Sequence, residues 1–260
     1  MSWDTVKIEG SGPVRHLVFN RPQVHNAVNP QFICDVHDAC LAIERDLTVR
    51  VVIVRGEGKS FSSGGDLQED PTLGPVSLRM HRSKSGARLH DVLTNLRPIT
   101  IAAMHGHAIG AGVVLGLACD FRIGGESLSV CINEVSIGLN LTWSTLPALV
   151  QVVGPQRARE MVILGRAYNG RQMLDCGFLG ALVPDGALVA AAEAMAAEVV
   201  RQPPIPAALA KASVNAYALH MGRALHHMDH LAHAYTGASH NSRLAREAYF
   251  SQDAPAYIDE

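Results

Sequence analysis

The sequence predicts an α/β fold with parallel strand pairing, followed by a region of helices alone. Three observations predict it. Short all-apolar runs of the kind buried on both faces recur along the chain. Stretches with apolar residues at three- and four-residue steps lie between them. After Val183 the chain becomes alanine-rich and offers no strong strand.

Taken in order, Val14 to Phe19 reads as a strand stopped by Asn20-Arg21-Pro22. Asn29-Pro30 supplies an N-cap and a first-turn proline. Behind it Phe32, Ile33, Val36, Cys40, Ile43 and Leu47 form the apolar stripe of an amphipathic helix. Val51 to Val54 is a strand apolar on both faces. A polar loop over 56–75 leads to a helix over 76–96, then to a strand from Ile99 to Met104. A glycine segment and a short helix follow, with further strands at Phe121–Ile123 and Leu128–Val130. Helices are expected over 187–201 and 206–250, separated by Pro203-Pro204-Ile205-Pro206. The reading divides the chain into a core, residues 1–195, and a helical region, 196–260, packed on the core or on a neighbouring subunit.

Composition narrows the function classes. The 260 residues are 48% hydrophobic and 18% charged with a net charge of −2, so no basic footprint for nucleic acid or an anionic membrane is present. The first thirty residues hold no apolar h-region, and no run of eighteen apolar residues occurs. The five cysteines are odd in number and form no CxxC pair, which fits buried reduced thiols and a cytoplasmic protein.

Two glycine turns carry the chemistry. GAGVVLG (110–116) has the look of a dinucleotide fingerprint, but His105 to Ile109 separate it from its strand, and the ribose-binding acid is not clearly placed. The segment pairs better with KSFSSGGDL (59–67). Two such turns, each leading to a helix, can aim two backbone N–H groups at one oxygen, and a helix N-terminus near Ala111 adds positive partial charge. An oxyanion formed from a carbonyl or thioester would be stabilised there. Each donor of this type is worth roughly 2.7–4 kcal/mol in the transition state. Two ordinary glycine turns would have the same spacing.

Five segments in register resemble the crotonase superfamily, the enoyl-CoA hydratase/isomerase family, over most of the chain. They are NRPQVHNAVN (20–29), KSFSSGGDL, HGHAIGAGVVLGLACDFRI (105–123), NEVSIGL (133–139) and GRAYNGRQMLDCGFLGALVP (165–184). The resemblance implies a crotonase-like spiral of repeated ββα units with C-terminal helices that build a homotrimer or a dimer of trimers. It puts the oxyanion donors at the N–H groups of Gly65 and Ala111. Ser63, Gly64, Asp66, Leu67 and Gly110 would line the acyl-CoA channel, Lys59 would lie near the CoA phosphates, and Val24 and Ala27 would touch pantetheine or adenine. Coenzyme A would enter as part of the thioester substrate, with no bound cofactor.

Hydratases of this family use two glutamates. Here one falls on Glu134 and the other is replaced by Val114. Valine cannot deprotonate water, whereas one carboxylate suffices to carry a proton between the α- and γ-carbons of an enoyl thioester. The pattern therefore resembles the Δ3,Δ2-enoyl-CoA isomerase branch. Burial should raise the Glu134 pKa. A hydratase with a substitute group, an idle acyl-CoA-binding protein and a relative doing other enolate chemistry are the alternatives. Asn140, Thr142, Ser144, His81 and His90 are candidate substitutes. Glu134 could instead cap a helix or pair with arginine, and Asp66 is expected to cap the next helix.

LHHMDHLAH (225–233) places His226 and His230 on one helical face, but it is remote from the glycine turns, so a polar face or subunit contact is expected rather than a metal site. No GxSxG elbow singles out Ser62 or Ser63, and Trp3 and Trp143 are too separate for a stacking platform.

Overall fold

The computed structural model describes residues 1–68, 75–219, 222, 226–251 and 255–258. In chain order the elements are β1 Val6–Glu9, β2 Val14–Phe19, α1 Pro30–Arg45, β3 Val51–Gly56, α2 Val76–Thr94, β4 Ile99–Met104, β5 His107–Ile109, α3 Ala111–Leu117, β6 Phe121–Gly125 and β7 Ser129–Cys131. There follow α4 Thr145–Leu164, β8 Ala167–Asn169, α5 Gly170–Asp175, β9 Ala181–Val183, α6 Leu188–Val200, α7 Pro204–Ala218, α8 His226–Thr236 and α9 His240–Ser251.

Six strands form a sheet in the order β1-β2-β3-β4-β6-β9, and β5-β7-β8 form a smaller one. In the large sheet only the β1–β2 pairing is antiparallel. The chain spirals through both sheets: β4 in the large one, β5 in the small one, then α3; β6, β7, then α4. The first turn of the spiral is looser. After β3 the chain touches two separate bridges, Ser62 to Ala108 and Val28 to Gly65, before reaching α2. This is the ββα spiral that the resemblance implies.

The all-apolar β3 has the two-sided burial its sequence demands. Val52 and Val54 join the main core with Phe19, Phe32 and Phe61. Val51 and Ile53 face a second cluster closed by Leu188, Ala192 and Ala196 of α6. Helix α1 starts where expected, with Asn29 accepting from the Phe32 N–H at 2.9 Å and Pro30 in the first turn. Helix α3 is buried at all seven of its residues. The thiols of Cys40 in α1 and Cys119 at the end of α3 are buried, and burial pushes both up to about 12.

The C-terminal part differs in detail from the sequence expectation. The boundary at 195/196 falls inside α6, one continuous helix that packs on β3, β4 and β6. Among the described residues the single helical run expected over 206–250 is divided among α7, α8 and α9, with α8 on α2 and α9 on the turn after Glu134. Strands β1, β5, β8 and β9 were not foreseen, because three or four residues give too little alternation to read. Helix α4 is broken at Gly154, whose φ of 76° and following Pro155 cannot continue a helix. Among the described residues no helix is long and apolar enough to cross a membrane.

Candidate active site

The first glycine turn is held from both sides. Phe61 N–H donates to the His105 carbonyl at 2.8 Å, Ser62 N–H to the His107 carbonyl at 2.9 Å, and Ile109 N–H to the Ser62 carbonyl at 3.0 Å. On the other side Val28 N–H donates to the Gly64 carbonyl at 2.7 Å and Asp66 N–H to the Val28 carbonyl at 2.9 Å. Gly64 has a φ of +87°, and a Cβ there would lie 2.5 Å from the Ile109 carbonyl oxygen and 3.6 Å from the Ala111 nitrogen. Only glycine lets the two turns meet this closely.

The second turn is built around Gly110, with φ 48° and ψ −114°. Its N–H donates to the Cys131 carbonyl at 2.8 Å, and α3 begins at the next residue. Among the described residues the N–H groups of Gly65 and Ala111 donate to no backbone or side-chain acceptor. These two donors belong to turns in direct contact, as an oxyanion hole requires.

Glu134 reaches the same place from the end of β7. A Cβ on Gly110 would lie 2.7 Å from Glu134 Oε1, so the carboxylate sits over that glycine. The residue as a whole is half-buried, but its Oε2 is buried and has no hydrogen-bond partner among the described residues. It opens a 3-10 turn, Val135–Ile137, without capping it through its side chain, and it pairs with no cation among the described residues. Burial is the main cause that raises its carboxyl to about 7, opposed by a hydrogen bond from its own backbone. The capping and arginine-pairing alternatives do not apply.

Val114 is buried one turn along α3, its N–H bonded to the Gly110 carbonyl at 3.2 Å. Asp66 does not cap α2, which starts after Pro75. It pairs with Arg21 at 3.0 Å and accepts from the Gln68 N–H at 3.3 Å, because the chain turns there instead of entering a helix. Val24 and Ala27 flank the first turn: Ser63 Oγ donates to the Val24 carbonyl at 3.2 Å, and Arg21 donates to the Ala27 carbonyl. Ser62 Oγ is occupied by the Asn26 carbonyl at 2.8 Å. Lys59 is exposed and Leu67 half-buried at the end of this loop.

Several candidates lie elsewhere or are committed to other contacts. His81 is exposed. His90 lines a cavity of about 470 Å³ at the far end of α3, with Leu117, Cys119 and Lys211. Asn140 Oδ1 accepts from Thr236 Oγ1 at 3.1 Å, which ties it to α8. Thr142 Oγ1 accepts from the Trp143 N–H. Ser144 N–H donates to Asp229 Oδ2 at 3.0 Å, so one acid of the histidine-rich string serves the start of α4. The side chains of His226 and His227 lie outside the described residues. Among the described residues no group of three or more His, Cys, Asp or Glu side chains is arranged to hold a metal.

Sequence reasoning passed over two neighbours of the site. Asn133 Oδ1 lies 3.6 Å from the Cβ position of Gly110, on the side that Glu134 occupies. Its adjacency to Glu134 in sequence was the available signal. Arg21 holds Asp66, and nothing in the spacing of residues 21 and 66 announces that pair.

The sequence model of the enoyl-CoA hydratase/isomerase family matches residues 9–260. The chain belongs to the enoyl-CoA hydratase/isomerase family. It is similar to a putative enoyl-CoA hydratase of Thermus thermophilus, with 31% identity over 209 residues, 79% of this chain and 81% of that protein. A probable mitochondrial enoyl-CoA hydratase of Dictyostelium discoideum is 27% identical over 97% of this chain and 90% of that protein. The fold matches a crystal structure of an enoyl-CoA hydratase from Mycobacterium avium subsp. paratuberculosis with a TM-score of 0.87, at 23% identity, covering 98% of this chain and 99% of that one. The protein is thus an enzyme of the crotonase superfamily, a family of CoA-thioester chemistry.

Proposed function

We propose that the protein is an enoyl-CoA isomerase, which moves a double bond from the 3- to the 2-position of an enoyl thioester with Glu134 as its one proton carrier. The observation that carries this reading is a buried carboxylate with no cation beside it among the described residues, in a site where Val114 stands in place of a second acid.

The thioester oxygen accepts from the Gly65 and Ala111 N–H groups. Ionised Glu134 removes a proton from the α-carbon, and the electron pair spreads into a dienolate whose oxygen is held by those donors. The same carboxyl then returns its proton to the γ-carbon, leaving the conjugated product. A carboxyl raised to about 7 serves both halves of this cycle, because it is neither too weak a base nor too weak an acid near neutral pH. Gly64, Gly110 and Asp66 shape the channel, with Ser63 and Leu67 along it. Val24, Ala27 and Lys59 belong to the coenzyme end. The reaction needs no bound cofactor, since coenzyme A arrives with the substrate.

The hydratase alternative has one observation in its favour, the Asn133 amide beside Glu134, which could orient a water. A paired assay separates the two. Purified protein and its Glu134→Gln variant receive a 3-enoyl-CoA and, separately, a 2-enoyl-CoA, followed by absorbance of the conjugated thioester and product mass. Conjugation of the 3-enoyl ester, lost in the variant and without hydration of the 2-enoyl ester, is expected. Hydration of the 2-enoyl ester overturns the isomerase reading. Binding of both esters without turnover leaves an idle acyl-CoA-binding protein. Conversion to a product of other mass points to other enolate chemistry.

A cytoplasmic homotrimer or dimer of trimers is the expected form. Ile205, Leu209, Val214 and Tyr217 of α7 are each 62–89% exposed, apolar surface suited to self-association.

A further inference from the structure

Trp143 lies nine residues beyond Glu134 and carries three local irregularities that coincide at one contact. Its φ is 63° and that of Ser144 is 57°, a left-handed conformation that bulky residues rarely adopt. Opposite it stands Gly86, in the interior of α2, where glycine costs roughly 1 kcal/mol relative to alanine. A Cβ on Gly86 would collide with the Trp143 indole, against Cε2, Nε1 and Cδ2. The helix therefore forgoes a side chain where the indole crosses it. Local rules broken together at one place, without a gain in packing regularity, mark a position selected for something else.

The backbone that carries the indole is also fixed. Trp143 N–H donates to Thr142 Oγ1, and its carbonyl accepts from Thr145 Oγ1 at 3.3 Å. The next N–H donates to Asp229 of α8. The ring is partly buried and packs against the main hydrophobic core. It thus spans from the Glu134 segment to α2, the helix that follows the Gly64–Gly65 turn. An acyl chain whose thioester is held at Gly65 and Ala111, with its reacting carbons at Glu134, must extend between these two sides.

We infer that Trp143, seated on Gly86, is the end wall of the acyl pocket and confines the enzyme to short-chain acyl-CoA esters. The inference rests on the acyl-CoA reading of the site but not on which reaction Glu134 performs. Volume decides the selection: a short chain stops at the indole, and a longer one must displace it from a groove made for it.

Calorimetric binding of the saturated hexanoyl-CoA and dodecanoyl-CoA tests this without turnover. The protein is expected to prefer hexanoyl-CoA by about tenfold or more, and Trp143→Ala to reduce that ratio by about tenfold. Equal binding of the two esters by the unaltered protein, or a ratio unchanged in folded Trp143→Ala, overturns the inference while leaving the functional reading intact. Binding of neither ester overturns both. A second measurement does not depend on that variant folding. Trp3 and Trp143 are the two tryptophans, so Trp3→Phe leaves Trp143 as the single indole emitter. Its emission is expected to shift with hexanoyl-CoA and not with CoA alone; the same spectrum with both ligands contradicts an indole at the chain end.

Discussion

The first glycine turn and the segment after β7 each bring a carboxylate to the same site, and the two are treated in opposite ways. Asp66, on the turn, is paired with Arg21 at 3.0 Å and accepts from a backbone N–H. Glu134, over Gly110, has a buried oxygen without a hydrogen-bond partner among the described residues. A satisfied carboxylate holds its loop; an unsatisfied one is kept ready to take up and release a proton. Burial without a counter-charge is destabilising, so its retention in one acid and not the other separates a structural group from a chemical one.

The largest test of that contrast is on rate. Glu134→Gln keeps the shape of the side chain but not its proton, and a loss of about 10²–10⁴-fold in double-bond migration is expected in a steady-state assay. For the unaltered enzyme kcat/KM should rise with pH through about 7, since the first step needs the ionised carboxyl. A flat profile across that window would remove Glu134 from the base role. Gly110→Ala should be nearly as damaging. Its Cβ would come 2.7 Å from Glu134 Oε1 at a φ of 48°, and misplacement of a reacting group on this scale can cost about 10²-fold.

Smaller effects appear in stability, with opposite signs for the two acids. Between the ordinary carboxyl value of 4.5 and the folded value of about 7, the folded protein holds a proton that the unfolded chain has released. Stability therefore falls as pH rises through that window, by about 3 kcal/mol at most. Glu134→Gln should abolish the decline, so urea titrations should find it more stable than the unaltered protein above pH 7 and little different near pH 4. Arg21→Met should do the reverse at neutral pH: a loss of about 1–3 kcal/mol is expected from leaving Asp66 without its partner. A neutral result there would mean that the pair adds no net stability.

The same contrast limits what could be read from the sequence. Elements β2, β3, β4 and α1 were legible because they have one or two apolar faces that burial explains; the 20-residue α4 was not foreseen, because its apolar residues are spread around the helix instead of along one face. The two glycine turns and Glu134 were legible through their order along the chain. Asp66 was misread as a helix cap because its true partner, Arg21, is 45 residues away. The Trp143–Gly86 contact was equally hidden: glycine in a helix and tryptophan in a loop are each unremarkable until the fold brings them together. Strand β5 was read as an interruption between strand and glycine turn, yet its pairing with β7 sets the level of Gly110 against Glu134.

The buried thiol of Cys119, at the C-terminal end of the helix that begins with Ala111, gives the site a clock. Pushed up to about 12, it has almost no thiolate at neutral pH and is shielded from alkylating reagents while the core is closed. Cys34 is exposed and should be modified first. The delay between the two then times how seldom the Cys119 thiol is both ionised and reached, in the cavity at the far end of the helix that begins with Ala111.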